Sequence, residues 1–165
     1  LLLEGGIPIK IIASRRNHFA GEYGMICTFC QILSGELPGS FVFRDDVVAA
    51  FMDIQPVNPG HVLVVPVRHA AYLADVQPKE GARMFALAQR LSTALFQIDI
   101  RCEGTNLFLA NGAPAGQEVF HVHLHVLPRY GGDQFGFRFG PGYGVRPARE
   151  MLDALAQQLK SASIR

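Results

Sequence analysis

Between Phe120 and Arg129 the chain reads Phe-His-Val-His-Leu-His-Val-Leu-Pro-Arg, which puts three of its six histidines at every second position with aliphatic residues between them. A period of two belongs to an extended strand, where successive side chains point to opposite faces. His121, His123 and His125 therefore share one surface, and Val122, Leu124 and Val126 share the other. Neighbouring imidazoles on that surface stand roughly 7 Å apart along the chain, so they can serve adjoining parts of one site without all binding the same atom. Imidazole has a weak strand preference and titrates near neutral pH, and a purely structural face is built more cheaply from Thr, Val or Tyr. Two uses remain open for such a face. The imidazoles ligate a metal, or at least one of them acts as nucleophile or acid/base on a bound substrate.

The rest of the chain has to build a core behind that strand. With 165 residues, 49% of them hydrophobic, one domain is expected. Fifteen basic and 14 acidic residues leave a formal charge of +1, which argues against long nucleic acid as a partner. No apolar run approaches the roughly 20 residues of a membrane span, so no membrane partner is expected. Leu1-Leu2-Leu3 is followed at once by Glu4 and the Gly5-Gly6 pair, which does not read as a secretion signal. Three cysteines do not make a disulfide framework, and a reducing cytoplasm is the expected compartment.

In chain order, residues 1–24 show no sustained period and read as an extension, with Ile7 to Ile12 as a candidate short strand and His18 as a surface histidine. Cys27 and Cys30 are one helical turn apart, and Gly35 and Pro38 stop the short helix that follows. This CxxC has three readings: a redox dithiol, two buried cysteines, or half of a tetrahedral zinc site that needs two more ligands. Phe41 to Phe43 and Val47 to Met52 form a hairpin about Arg44-Asp45-Asp46, with Asp53 at its end. A Pro/Gly-punctuated loop leads to His61, which opens the strand Val62 to Pro66. His69 follows. Pro78 begins an amphipathic helix carried through Ile98 by Met84, Leu87, Ala88, Leu91 and Leu95. Asn106 to Ala110 is a strand, and the loop from Asn111 to Gly116 returns the chain to the histidines. Beyond Arg129 an irregular Gly- and Phe-rich tail leads to a helix over Pro147 to Leu159.

These residues carry a resemblance. The alternating histidines, the segment Asp53-Ile54-Gln55-Pro56-Val57-Asn58-Pro59-Gly60-His61-Val62-Leu63-Val64-Val65-Pro66, and Asn111-Gly112 followed by Ala115-Gly116-Gln117 resemble the histidine triad nucleotide hydrolases and transferases, in order and spacing from about Cys27 to Arg129. The resemblance implies an α+β fold, an antiparallel sheet of about five strands with the long helix packed on it, and a homodimer. It implies residues 25–132 as the family domain, with 133–165 as a C-terminal tail and helix.

It also implies roles. His123 resembles the nucleophile that takes up the α-phosphate of a nucleotide as a covalent phosphoramidate, with His61 and His125 orienting and polarising that centre. Gln117 would contact the bridging or leaving group, Asp53 the ribose hydroxyls, and Asn111 and backbone donors near Val119 the phosphate side. Bacterial-type members bind structural zinc through a CxxC pair and two histidines, which carries over to Cys27, Cys30, His69 and His121. Glu118 departs from the pattern, standing where many relatives have a small hydroxyl residue. The implied substrates are nucleoside phosphoramidates or dinucleoside polyphosphates. Two rivals are a mononuclear metal site built by all three triad histidines and a nucleotide-binding scaffold without turnover.

Overall fold

The computed structural model describes residues 27–163. The expected extension over 1–24, with its strand at Ile7 to Ile12 and His18, lies outside them. The chain divides after Gly131 into two units, and each is described by itself.

In the first unit, α1 (Thr28–Ser34) precedes the strands β1 (Phe41–Arg44), β2 (Val48–Met52) and β3 (Val62–Pro66), then α2 (Pro78–Ala94), β4 (Gly104–Phe108) and β5 (Leu124–Arg129). The five strands form one sheet in the order β1-β2-β3-β5-β4, antiparallel at every step. The expected α+β architecture is therefore present. Alternation assigns the two faces of the sheet. Val48 and Ala50 of β2, Val62 and Val64 of β3, and Val122 and Val126 pack with Met84, Leu87 and Ala88 of α2 into the larger core. On the opposite face Ala49, Phe51, Leu63 and Val65 pack against Phe29, Ile32 and Leu33 of α1. Every histidine of the triad has the parity of this second face.

Three local devices hold the frame. The β1–β2 hairpin closes on Asp45, whose Oδ1 accepts the N–H groups of Val47 and Val48 at 2.8 and 2.7 Å. The backbone N–H of Gln77 donates to Glu80 Oε2 at 2.8 Å in a capping box, with Pro78 in the first turn, and this starts α2. Glu80 also takes both arms of Arg68, Nε at 2.9 Å and Nη2 at 2.8 Å, so the start of α2 is tied to the residue before His69. The third device is Gly60, at φ +95°, packed so closely that a Cβ there would lie 2.6 Å from Ile100 Cδ1.

α2 ends at Ala94, four residues before the expected Ile98. The last N–H groups turn to nearer carbonyls, Phe96 to Thr93 and Gln97 to Ala94, so the final turn tightens. Leu95, 4% exposed, leaves the helix to join the core beside Gly60. In the second unit, 133–148 hold no helix or strand, and α3 (Arg149–Ser163) follows. Met151, Leu152, Leu155 and Leu159 of α3 are exposed.

Candidate active site and metal centre

The strand carrying the triad is shorter than its sequence pattern predicts. β5 starts at Leu124, and His121 and His123 lie just ahead of it, with the chain bent at His121. The cause is Pro66, which has no N–H to continue the β3–β5 ladder beyond the Val64–Leu124 pair. The approach to β5 is held instead by the Val122 N–H on the Ala70 carbonyl at 2.7 Å and the His121 N–H on the Val119 carbonyl at 2.8 Å. The alternation survives: Val122 is fully buried in the α2 core, while His121 and His123 pack under the edge of Phe29, at 6.0 and 5.2 Å between ring centres.

Backbone carbonyls then fix which nitrogen of each ring carries the proton, as inferred from the hydrogen-bond network. A carbonyl can only accept. His121 Nε2 lies 2.9 Å from the Pro66 carbonyl, so Nε2 is protonated and Nδ1 keeps its lone pair. His123 Nδ1 lies 2.7 Å from the His121 carbonyl, so here Nδ1 is protonated and the lone pair stands on Nε2. His61 Nε2 and His125 Nδ1 are 2.8 Å apart, and one must donate to the other. The direction follows from Val57, whose N–H donates to His61 Nδ1 at 3.3 Å. Asp53 Oδ2, 3.4 Å from the same nitrogen, would favour a proton there. Burial outweighs Asp53 and keeps the ring neutral, and the Val57 N–H, which can only donate, assigns the bare nitrogen of that neutral ring to Nδ1. His61 therefore donates through Nε2, and His125 presents an N–H at its own Nε2.

Burial lowers the pKa of all three triad rings, and for His125, with His123 and His61 beside it, to about 4. At neutral pH the centre consists of uncharged imidazoles with assigned donor and acceptor nitrogens. One lone pair, on His123, and one N–H, on His125, stand on rings whose centres are 4.8 Å apart.

The lone pair of His121 belongs to a second cluster. Its Nδ1 is 3.4 Å from Cys27 Sγ and 3.5 Å from Cys30 Sγ, and His69 Nδ1 is 3.4 Å from Cys30 Sγ. Tetrahedral zinc with bonds of about 2.3 Å to sulfur and 2.05 Å to nitrogen separates such ligands by about 3.6 Å. The four donors, all within 4.8 Å of one another, thus fit one such ion. The thiols by themselves are a poor arrangement: burial first, then the neighbouring Cys27, pushes Cys30 up to about 11. Two thiolates held side by side need a cation between them. The triad is thereby divided between two donor clusters, His121 with Cys27, Cys30 and His69, and His125 with Asp53 and His61. The rival in which three triad histidines hold one ion does not match this geometry.

The remaining expected residues have different roles. Asp53 accepts the Gln55 N–H through Oδ1 at 2.9 Å and turns Oδ2 toward His61. Asn111 Oδ1 accepts the Leu73 N–H at 2.8 Å and so ties the loop to the segment after His69. Val119 offers its carbonyl to the His121 N–H and to Gln117 Nε2, the latter at 3.2 Å. Gln117 itself is 3% exposed and commits its whole amide to the protein: Oε1 accepts the Gly112 N–H at 2.7 Å and Nε2 donates to the Ala71 carbonyl at 2.7 Å. It clasps the loop, with Gly112 on one side and Ala71 on the other. Sequence reasoning missed Phe29, Val57 and the Pro66 carbonyl. Phe29 had a signal, an aromatic inside the CxxC; the backbone groups had none.

The model of the HIT domain matches residues 34–132. The chain belongs to the HIT family. Among its relatives, an uncharacterized HIT-like protein of Borreliella burgdorferi is 44% identical over 69% of this chain and 83% of its own length. The adenosine 5'-monophosphoramidase hnt1 of Schizosaccharomyces pombe is 33% identical over 83% of this chain and 98% of its own. Among solved structures, a zinc-bound histidine triad family protein of Mycobacterium smegmatis is 38% identical with a TM-score of 0.65, covering 84% of this HIT chain and 98% of that one.

Proposed function

We propose that this HIT protein hydrolyses or transfers nucleotides at the α-phosphate through a nucleotidyl-histidine intermediate on His123. The observation that carries the reading is the bond from His123 Nδ1–H to the His121 carbonyl, which leaves the Nε2 lone pair as the nucleophile. In the first half-reaction that pair forms the bond to phosphorus, the bond from phosphorus to the leaving atom breaks, and the leaving atom takes the proton from His125 Nε2. The His123 ring is then cationic, and His125 stays neutral because its Nδ1 takes the Nε2 proton of His61 across their 2.8 Å bond while His61 takes one from solvent at Nδ1. In the second half water attacks phosphorus, its proton returns to His125 Nε2, the relay through His61 reverses, and the pair returns to His123. His61 fixes the orientation of His125, and Asp53 accepts from the ribose hydroxyls. Asn111, Gln117 and Val119 act at one remove, holding the loop that borders the phosphate. The phosphoramidase activity named for the fission-yeast relative supports phosphoramidates as substrates, and dinucleoside polyphosphates are the second class.

Zinc in the Cys27, Cys30, His69 and His121 cradle is the proposed cofactor. Its role is structural, because an ion with all four positions filled by protein keeps none for substrate. The protein is read as a homodimer, because Phe85 of α2, Leu107 of β4, and Phe96 and Ile98 between them are exposed, an apolar surface that a second copy would cover. Residues 25–132 are proposed as the functional domain, flanked by the extension over 1–24 and the C-terminal segment over 133–165. Free thiols at Cys27, Cys30 and Cys102 support a reducing, cytoplasmic setting. No helix among the described residues is long and apolar enough to cross a membrane.

The test is His123→Ala. Turnover of an adenosine phosphoramidate should vanish while zinc content and AMP affinity stay within about twofold of wild type, since the lost contribution lies in a bond made along the reaction path. Mass spectrometry of wild type quenched without acid should find one adenylyl group on His123. Full activity in the variant sinks the mechanism, and binding without turnover in wild type leaves the scaffold reading.

A further inference from the structure

Pro66 does more than end the β3–β5 ladder. Backbone groups along a strand point to alternate sides. The Val67 N–H bonds the Val47 carbonyl at 2.9 Å, just ahead of β2, so the backbone of Pro66 faces β5. The register that pairs Val62 with Val126 and Val64 with Leu124 would set position 66 opposite Val122. An ordinary residue there would donate its N–H to the Val122 carbonyl and accept the Val122 N–H on its own. Neither bond forms. Proline has no N–H to give, and the Val122 N–H goes to the Ala70 carbonyl at 2.7 Å.

The carbonyl of Pro66 is thereby left for a side chain. It lies 2.9 Å from Nε2 of His121, which is fully buried. The other nitrogen of that ring, Nδ1, faces Cys27 Sγ and Cys30 Sγ at 3.4 and 3.5 Å. With both nitrogens engaged the ring has one orientation, and its own peptide is fixed with it. The carbonyl of that peptide accepts the His123 Nδ1–H at 2.7 Å. Contacts thus run from Pro66 to the His121 ring, through the His121 peptide, to the His123 ring. An N–H at position 66 would break this chain at its start by drawing Val122 into the ladder and claiming the same carbonyl.

We propose that Pro66 is a positioning residue for the reacting centre. By withholding an N–H from the sheet it reserves its carbonyl for His121, which directs His121 Nδ1 at the cysteines and the His121 carbonyl at His123. The first effect concerns the donors of the metal cradle alone; the second rests on the nucleotidyl-histidine reading. Imidazoles that ligate a metal usually donate their second N–H to a fixed acceptor, and loss of that acceptor lowers metal affinity about 10- to 100-fold.

The experiment uses Pro66→Ala and Pro66→Val, which both restore the N–H, the second without opening a cavity in place of the buried ring. Val48→Ala, opposite Pro66 on β2 and packed in the α2 core, controls for lost packing. Long-range proton–nitrogen NMR of the imidazoles reads the tautomers, chelator competition reads zinc affinity, and amide hydrogen exchange reads the ladder. Wild type should carry the His121 proton on Nε2 and the His123 proton on Nδ1. Both Pro66 variants should gain a protected amide at position 66, bind zinc about tenfold or more weakly, and lose the single His123 tautomer. Their kcat for an adenosine phosphoramidate should fall by more than KM changes. Val48→Ala should be less stable yet keep the wild-type tautomers and zinc affinity. Unchanged tautomers with zinc affinity within about twofold in both Pro66 variants overturn the proposal, as does the opposite tautomer on either ring of wild type. Failure of both variants to fold where Val48→Ala folds also overturns it, leaving Pro66 a purely structural residue. Should wild type form no adenylyl-His123 while the variants still shift tautomers and zinc affinity, the nucleotidyl-histidine reading fails and the positioning of the cradle stands.

Discussion

Replacing Gln117 with Met keeps nearly the same length and volume but removes every hydrogen-bonding atom from the side chain. Three bonds disappear, those with the Gly112 N–H at 2.7 Å, the Ala71 carbonyl at 2.7 Å and the Val119 carbonyl at 3.2 Å. At a net contribution of about 1 kcal/mol each, the loss is about 3 kcal/mol. Burial of the side chain raises that figure by stranding the carbonyls, and water reaching the half-buried Gly112 lowers it. For a chain of this length about 3 kcal/mol corresponds to roughly 6–12 °C in Tm. Urea denaturation followed by circular dichroism reads the stability, and steady-state turnover of an adenosine phosphoramidate reads the activity. Both should fall, the activity because the loop that Gln117 clasps also holds Val119 and Glu118. If the variant keeps its urea midpoint while kcat collapses, the amide is reaching the substrate, and the clasp is the wrong account.

Elsewhere, Cys30→Ala should lower zinc below half an equivalent by elemental analysis and lower the unfolding midpoint, with activity following metal loss; full zinc retention would remove Cys30 from the ligand set. Gly60→Ala should cost about 2–4 kcal/mol in chemical denaturation, since φ is +95° and the added Cβ would meet Ile100 at 2.6 Å and Leu95 at 3.1 Å; a neutral change would mean that the segment shifts freely. Stability should also fall on acidification. His125 has a folded pKa of about 4 against about 6.5 unfolded, so below pH 6.5 the unfolded chain takes up a proton that the folded chain refuses. Stability is lost as pH falls from about 6.5 toward 4, at a slope below about 1.4 kcal/mol per pH unit because His125 is only half-buried. Comparing Tm against pH for wild type and His125→Asn isolates this contribution, and parallel curves would refute it.

Much of the architecture was legible because it rests on periodicity. The alternation at 120–129, the β-branched run at 62–66 and the three- and four-residue spacing in α2 each report a face, and a face is what a core needs. The ends of elements were less legible. α2 stops at Ala94 since Leu95 is drawn toward Gly60, and β5 starts late because of what Pro66 lacks on a different strand; both causes are tertiary. The site divides the same way. Cys27, Cys30, His69 and His121 come together from segments far apart in the chain, as the family resemblance implied. The protonation pattern of the rings depends on the carbonyls of Pro66 and His121 and the N–H of Val57, backbone groups that residue type cannot reveal. The clasp made by Gln117 was not legible for a related reason: an amide beside such a loop serves equally well facing substrate or facing the loop.

The division of labour within one short segment limits how its length can change. His121 completes the cysteine cluster, its carbonyl aims His123, and the residues between the imidazoles fill the α2 core. Deleting one residue between His121 and Leu124 would turn an imidazole toward Met84 and Leu87 and a valine or leucine toward the cysteines, disrupting the proposed metal centre, the proposed nucleophile and the core together. Removing two would keep the faces but draw His123 off its carbonyl. The loop from Asn111 to Gly116 lies outside that constraint except at Asn111 and Gly112, where Leu73 and Gln117 hold it. An engineered change of length near the triad is therefore best placed within 113–116, where it breaks the short turn of Ala115 on Gly112 and Gly116 on Ala113.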